Sequence, residues 1–154
     1  MSLTANASQE YLKNAVMTAG PEQLHLMLLD GAIRFASRGV DAVTGGDIEG
    51  SFVAFERAQR IVLELSNGLR RETNPALVDQ MSALYNFIYR RLVDANMNRD
   101  ALAAEESLRI LRHQRETWVM LIGKISADSP PPPPPPETNA PPVESHRSSF
   151  SVEG

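Results

Sequence analysis

The sequence predicts an all-α fold, an antiparallel up-down four-helix bundle, and three observations predict it. Apolar residues recur at spacings of three and four along four successive stretches between residues 21 and 127. Each stretch is parted from the next by a short break rich in Gly, Asn or Pro, which leaves consecutive helices no choice but to reverse direction. No segment shows the period of two that a half-buried strand needs.

The first helix opens at Pro21, a position where a missing N–H costs nothing, and carries Leu24, Met27, Leu28, Gly31, Phe35, Ala42 and Val43 on one side until Gly45-Gly46 stops it. The second starts with Asp47 as N-cap, and Ile48, Phe52, Phe55, Ala58, Val62, Leu65 and Leu69 follow at spacings of 4, 3, 3, 4, 3 and 4. Asn74-Pro75 repeats the cap-plus-proline start. Leu77, Met81, Leu84, Ile88, Leu92 and Ala95 form the inner side of this third helix up to a break at Asn96-Met97-Asn98. Asp100 caps the last helix, whose stripe is Leu108, Leu111, Trp118, Ile122 and Ile125, with Gly123 near its end.

The flanks differ in kind. Tyr11, Ala15 and Val16 make a short apolar patch at helical spacing, but fewer than ~12 residues do not hold a helix without packing on something. This N-terminal helical segment is expected to lean reversibly on the bundle. The last part holds seven consecutive prolines (Pro130 to Pro136), then Pro141-Pro142 and a Ser-rich end, in which Val143, Phe150 and Val152 are the sizeable apolar residues. That composition predicts a disordered Pro-rich tail, its proline run a polyproline II rod of about 20 Å. The expected division is a mobile segment over 1–20, the bundle over 21–127 and the tail over 128–154.

Composition narrows the function. With 154 residues and 42% hydrophobic content, one real core is affordable. Of the chain's 19 acids and 15 bases, the segment before residue 128 holds 15 and 14, a balance that argues against bulk nucleic-acid binding. The absence of cysteine excludes disulfides, thiolate catalysis and Cys-ligated zinc. The start MSLTANASQEYLKNAV has no basic region followed by an apolar run, and no window approaches the ~18 apolar residues of a membrane span, so the expected location is the cytoplasm, without membrane insertion.

Candidate chemistry is sparse. Glu22-Gln23-Leu24-His25 is an E-x-x-H pair like those of di-metal bundles, but such a site needs a second pair and two further inward glutamates, and His113 with Glu116 has the reverse order. A solvated glutamate and a rim histidine are the expectation, and a di-metal enzyme the remote alternative. No G-x-S-x-G elbow and no phosphate loop exist. No cofactor and no catalysis are expected. Arg90 and Arg91, with Arg99, Arg109, Arg112 and Arg115, read mostly as a solvated face, or as a face that meets an acidic export component. Tyr11, Tyr85 and Tyr89 read either as core rim or as the lining of a groove. Phe87 and Tyr89 flank Ile88, so aromatic area extends beyond the buried stripe, as a helix-binding surface would require.

Two blocks carry a family resemblance. Tyr11, Val16, Thr18, Ala19, Pro21, Leu24, Met27, Leu28, Asp30, Gly31, Ala32 and Phe35 fall in one order, and Leu84 to Asn96 reads LYNFIYRRLVDAN. Both are similar to the flagellin export chaperone family, FliS, over about residues 11 to 125, with Leu29 and Phe87 standing where the family usually has tyrosine. The resemblance implies a cytosolic, non-enzymatic chaperone that holds the disordered C-terminal segment of flagellin as helices, prevents premature polymerisation and assists delivery to the flagellar type III export gate. Other flagellar regulators are implied as possible sharers of the surface. Carried over by position, the partner-binding residues would be Tyr11, Val16, Thr18, Leu24, Met27, Leu28, Gly31, Tyr85, Ile88, Arg91, Leu92 and Asn96. A helical scaffold that docks partners through its Pro-rich tail is the alternative.

Overall fold

The computed structural model describes residues 6–11, 14, 20–70, 72 and 74–128, the last four in backbone only. Four long helices, α1 (Pro21–Thr44), α2 (Ile48–Asn67), α3 (Pro75–Asn98) and α4 (Ala101–Asp128), follow one another in chain order. Residues 6–11 are helical and exposed. No strand occurs among the described residues.

The ends of the helices are set by local chemistry. Asp47 Oδ1 accepts the Gly50 N–H at 2.9 Å and Asn74 Oδ1 accepts the Leu77 N–H at 3.2 Å, which satisfies donors that the first turn of a helix leaves free. Asp100 Oδ1 takes the N–H groups of Leu102 and Ala103 at 3.0 and 3.3 Å. Pro21 and Pro75 occupy the first turns of α1 and α3. Between α1 and α2 the chain turns through Gly46 at φ 78°, a conformation that costs glycine nothing. Residues 96–98, expected as a break, are instead the last residues of α3. Arg99, at φ 50°, makes the reversal. Its N–H bonds to the Ala95 carbonyl, so the arginine does the work of a C-terminal glycine.

Each helix packs on its chain neighbour, and α4 closes the ring against α1. The core holds Leu29, Phe55, Val62, Leu65, Tyr85, Ile88, Leu92 and Leu111, filled in by Ala32, Ala36, Ala58, Ala95, Ala103 and Ala104. On α1 the fully buried face is Leu29, Gly31, Ala32, Ala36 and Gly39; of the expected stripe Gly31 lies on it, Leu28, Phe35 and Val43 pack partly buried at its edge, and Leu24 is exposed. Small residues let α2 approach closely: a Cβ at Gly31 would stand 3.2 Å from Ile61 Cδ1, and one at Gly39 would overlap the buried Phe55 ring. Periodicity favours large apolar residues and misses a face made of small ones. Ile48, Phe52 and Leu77, expected inside, are 55, 55 and 49% exposed, because the first turns of α2 and α3 lie at the ends of the bundle, where no neighbour covers them.

Candidate functional site

With the core filled, the surfaces left for recognition are the grooves between adjacent helices, and their chemistry differs. The α1/α4 groove is lined by Glu105, Arg109, Arg112, His113 and Glu116 beside Ser37, Val40 and Leu108. Arg91 crosses the α3/α4 seam to Glu106 at 2.9 Å and also reaches Asp94 at 3.3 Å. The α1/α2 groove carries Arg38, Arg57, Asp47 and Glu49 around Phe35 and Val53. By contrast, the α2/α3 groove is lined by Val62, Leu63, Ser66, Ser82, Tyr85, Asn86 and Tyr89, without a charge. Leu63 is 44% exposed there and Tyr89 is half-buried. At the end of the groove nearer the α1–α2 turn, Gln59 Oε1 accepts the Asn96 Nδ2–H at 3.1 Å, while Asn96 Oδ1 is buried without a partner among the described residues.

An apolar, uncharged trough with a few hydroxyls and amides at its rim has the composition of a groove for an amphipathic helix. The apolar side of the guest would cover Leu63 and Tyr89. Its polar flank would meet Ser66, Ser82 and Asn86. Exposed Phe52 lies eleven residues before Leu63 on α2, three helical turns along the same face, but Glu56 and Gln59 stand between them, so the apolar trough ends before Phe52.

The residues singled out in the sequence scatter across several environments. Tyr85, Ile88 and Leu92 are 1, 0 and 0% exposed and belong to the core. Gly31 is buried at the α1/α2 contact. Met27 and Leu28 are half-buried, Leu24 is 37% exposed, and Tyr11 is 76% exposed rather than packed on the bundle. Arg91 is held in the α3/α4 seam, and Asn96 lies at the end of the α2/α3 groove. Val16, Thr18 and the Pro-rich tail lie outside the described residues. Leu63, Ser66, Ser82 and Asn86, which line the α2/α3 groove, are not among the residues singled out in the sequence. The signal for Leu63 was its place beside the Val62 stripe position, where a second large apolar residue widens the apolar face beyond what the core uses.

Far from a solvated rim, His25 is half-buried and tied into the core. Its Nε2 lies 2.8 Å from the Tyr85 hydroxyl, and its ring sits 4.2 Å from that of Trp118, whose indole N–H donates to the Glu22 carbonyl at 2.8 Å. One polar contact thus joins α1 to α3 through the core, and another joins α1 to α4. Among the described residues no three His, Asp or Glu side chains gather to hold a metal. Burial lowers the His25 pKa below its ordinary 6.5 and pushes the Tyr85 phenol well above its usual range. Neutral His25 and the un-ionised phenol therefore share one hydrogen bond.

The sign of the linkage follows. Below pH 6.5 the unfolded chain takes up a proton that the folded chain resists, so stability present above pH 6.5 is lost as pH falls toward the lowered folded value. Urea midpoints measured from pH 8 to 5 should decline below about 6.5 in the intact protein and decline less in His25→Gln. Equal slopes in the two would remove His25 as the cause.

Comparison with known proteins follows the same lines. Residues 4–125 match the family model described as flagellar protein FliS. A flagellar secretion chaperone FliS from Bacillus subtilis is 34% identical over 117 residues, covering 76% of this chain and 86% of the relative. That of Salmonella typhimurium is 34% identical over 120 residues, 77% of this chain and 89% of the relative. The Escherichia coli protein is 31% identical over 122 residues, 74% and 88% respectively. Among solved structures, one described as a flagellar chaperone from bacteria superposes with a TM-score of 0.64 at 17% identity, covering 79% of this chain and 98% of the other, a likeness of fold.

Proposed function

This chain belongs to the FliS family of flagellar secretion chaperones, and from that premise we propose that it is a cytoplasmic, non-enzymatic chaperone for flagellin. It captures the C-terminal segment of flagellin as amphipathic helix, keeps that segment from polymerising and presents the complex to a component of the flagellar export gate. The observation that carries the reading is the uncharged α2/α3 groove, which contrasts with charged linings at the other helix pairs. A filament subunit must bury apolar helical faces against its own copies, and a trough that covers such a face competes with that assembly. No helix among the described residues is long and apolar enough to cross a membrane, in keeping with a carrier that works on the cytoplasmic side.

The size of the task supports a wrapped client rather than a single contact. Ordering a disordered segment costs several kcal/mol, so capture needs contact area beyond one groove. Exposed Val119, Met120 and Leu121 on α4, with Leu24 on α1 and Leu77 on α3, supply further apolar surface toward the end where α1 begins.

Calorimetric titration of the full chain with a peptide covering about the last 40 residues of the same organism's flagellin tests the proposal. Binding should carry a clearly negative heat-capacity change. Leu63→Asp, at a side chain exposed enough for the fold to tolerate a charge, should weaken binding by ten- to a hundredfold, about 1.4–2.8 kcal/mol, with little change in melting temperature. Unchanged affinity in Leu63→Asp would move the client off this groove. No binding by the folded parent chain would remove flagellin's C-terminal segment as the client.

A further inference from the structure

The α1/α2 groove contains a cluster that client capture leaves unused. Arg34, Arg38 and Arg57 each place the guanidinium carbon 5.4 Å from the centre of the Phe35 ring. No two of the three are therefore more than about 11 Å apart, close to one Debye length at 0.1 M salt, so they repel one another. Their attraction to the ring offsets only part of that, at about 0.5–1 kcal/mol for an exposed cation–π contact. All three are exposed, and none bonds to a carboxylate among the described residues, whereas Arg60, Arg91 and Arg115 are paired with Glu56, Glu106 and Asp30. Beside them, half-buried Phe35 and 40% exposed Val53 provide an apolar floor. An occupant that suits this groove brings carboxylates next to an apolar anchor.

The chain itself supplies such a segment. Residues 143–153, VESHRSSFSVE, set Glu144 and Glu153 around Phe150 and Val152, and the family match ends before them, at residue 125. Reach selects this part of the tail. From Trp118, level with the start of α1, α4 continues ten residues to Asp128, roughly 15 Å at ~1.5 Å per residue. Arg34 and Arg38 lie about 20–25 Å along α1 from Pro21, so a returning chain must cover about 35–40 Å along the bundle. At the ~3.1 Å per residue of a polyproline II chain, nine residues from Asp128 to Glu137 would reach only about 28 Å, but the sixteen to Glu144 would reach about 50 Å. Glu137 falls short; Glu144 and the residues after it arrive.

We infer that the groove lined by Phe35, Arg38, Val53 and Arg57, with Arg34 over the same Phe35 ring, is the docking site of the chain's own residues 143–153. Glu144 and Glu153 answer the arginines, and Phe150 covers Phe35 and Val53. The segment's one arginine, Arg147, enters a groove that also holds Asp47 and Glu49. Tethering raises the local concentration of the segment to about the millimolar range, so a contact far too weak to find in trans is still substantially occupied. The inference stands on a different groove from flagellin capture and does not rest on it.

The chain has no cysteine, so Ser151→Cys in the full-length protein carries a single nitroxide label. In a ¹⁵N-labelled sample the amides of residues 34–38 and 53–57 should lose the most intensity through paramagnetic broadening. The loss should be reversed by 0.5 M NaCl, which screens exposed charges, and by the double substitution Arg38→Glu, Arg57→Glu, whose spectrum also reports whether the bundle remains folded. Broadening that is uniform, centred on another groove or unaffected by the charge reversal would overturn the assignment. So would its absence, which would leave the arginines to an acidic segment of another protein. Broadening of an unlabelled ¹⁵N chain mixed with a spin-labelled one would assign the groove to the tail of a second copy and overturn the intramolecular contact.

Discussion

Gly39→Val is expected to destabilise the bundle by about 3 kcal/mol or more, and Gly39→Ala by about 1–2 kcal/mol. Inside a helix, alanine ordinarily gains about 0.5–1 kcal/mol over glycine, because glycine loses more freedom on folding. At Gly39 the sign reverses, since a Cβ there would overlap the edge of the Phe55 ring. Phe55 is fully buried among core side chains and has nowhere to swing, so α1 and α2 must part or the ring must leave its rotamer. Gly123 on α4 is the control, because a Cβ there meets nothing within 4 Å. Gly123→Ala should follow the ordinary rule and stabilise. Urea denaturation of the three variants checks the pair of signs, and a Gly39→Ala protein as stable as its parent would show that the α1/α2 contact is looser than described.

Tyr85→Ala is the second large effect, a loss of about 3–5 kcal/mol. The ring is 1% exposed among the inner faces of the bundle, and its hydroxyl holds His25 from across the core. Truncation leaves a ring-sized cavity and an imidazole nitrogen without its partner. Tyr85→Phe separates the two contributions. It keeps the packing and removes the hydrogen bond, so it should cost only about 1–2 kcal/mol at pH 8. Because the side chain is inside, flagellin-peptide binding by folded Tyr85→Phe should match that of the parent. A tenfold loss of affinity in that variant, with its melting temperature scarcely altered, would place the hydroxyl at the client instead of in the core.

These variants also mark where the sequence stops being legible. The Tyr85 to Leu92 part of the second family block reads equally well as groove or core, because spacing shows which residues share a helix face and not which of several neighbours that face meets. Packing separates their surroundings: Tyr85, Ile88 and Leu92 are buried in the core, Tyr85 also forming part of the trough's floor, and the polar positions Ser82 and Asn86 line its rim. His25 was read as a rim residue because its partner is sixty positions away in the chain. The Phe35 cluster was equally invisible, since Arg57 joins Arg34 and Arg38 only when α2 folds back on α1.

What the sequence determined by itself is local and additive: four helices, the Asp47, Asn74 and Asp100 caps, the proline starts and the glycine turn, each legible from residues within a few positions of one another, and the family, legible from two blocks each continuous along the chain. Tertiary structure alone decided which face of α1 is buried, which groove is free of charge and which polar groups meet inside. The physical reason is that an amphipathic helix specifies a stripe but not its partner. In α1 the deciding quantity is closeness of approach, which Gly31, Ala32, Ala36 and Gly39 permit and the larger residues beside them do not.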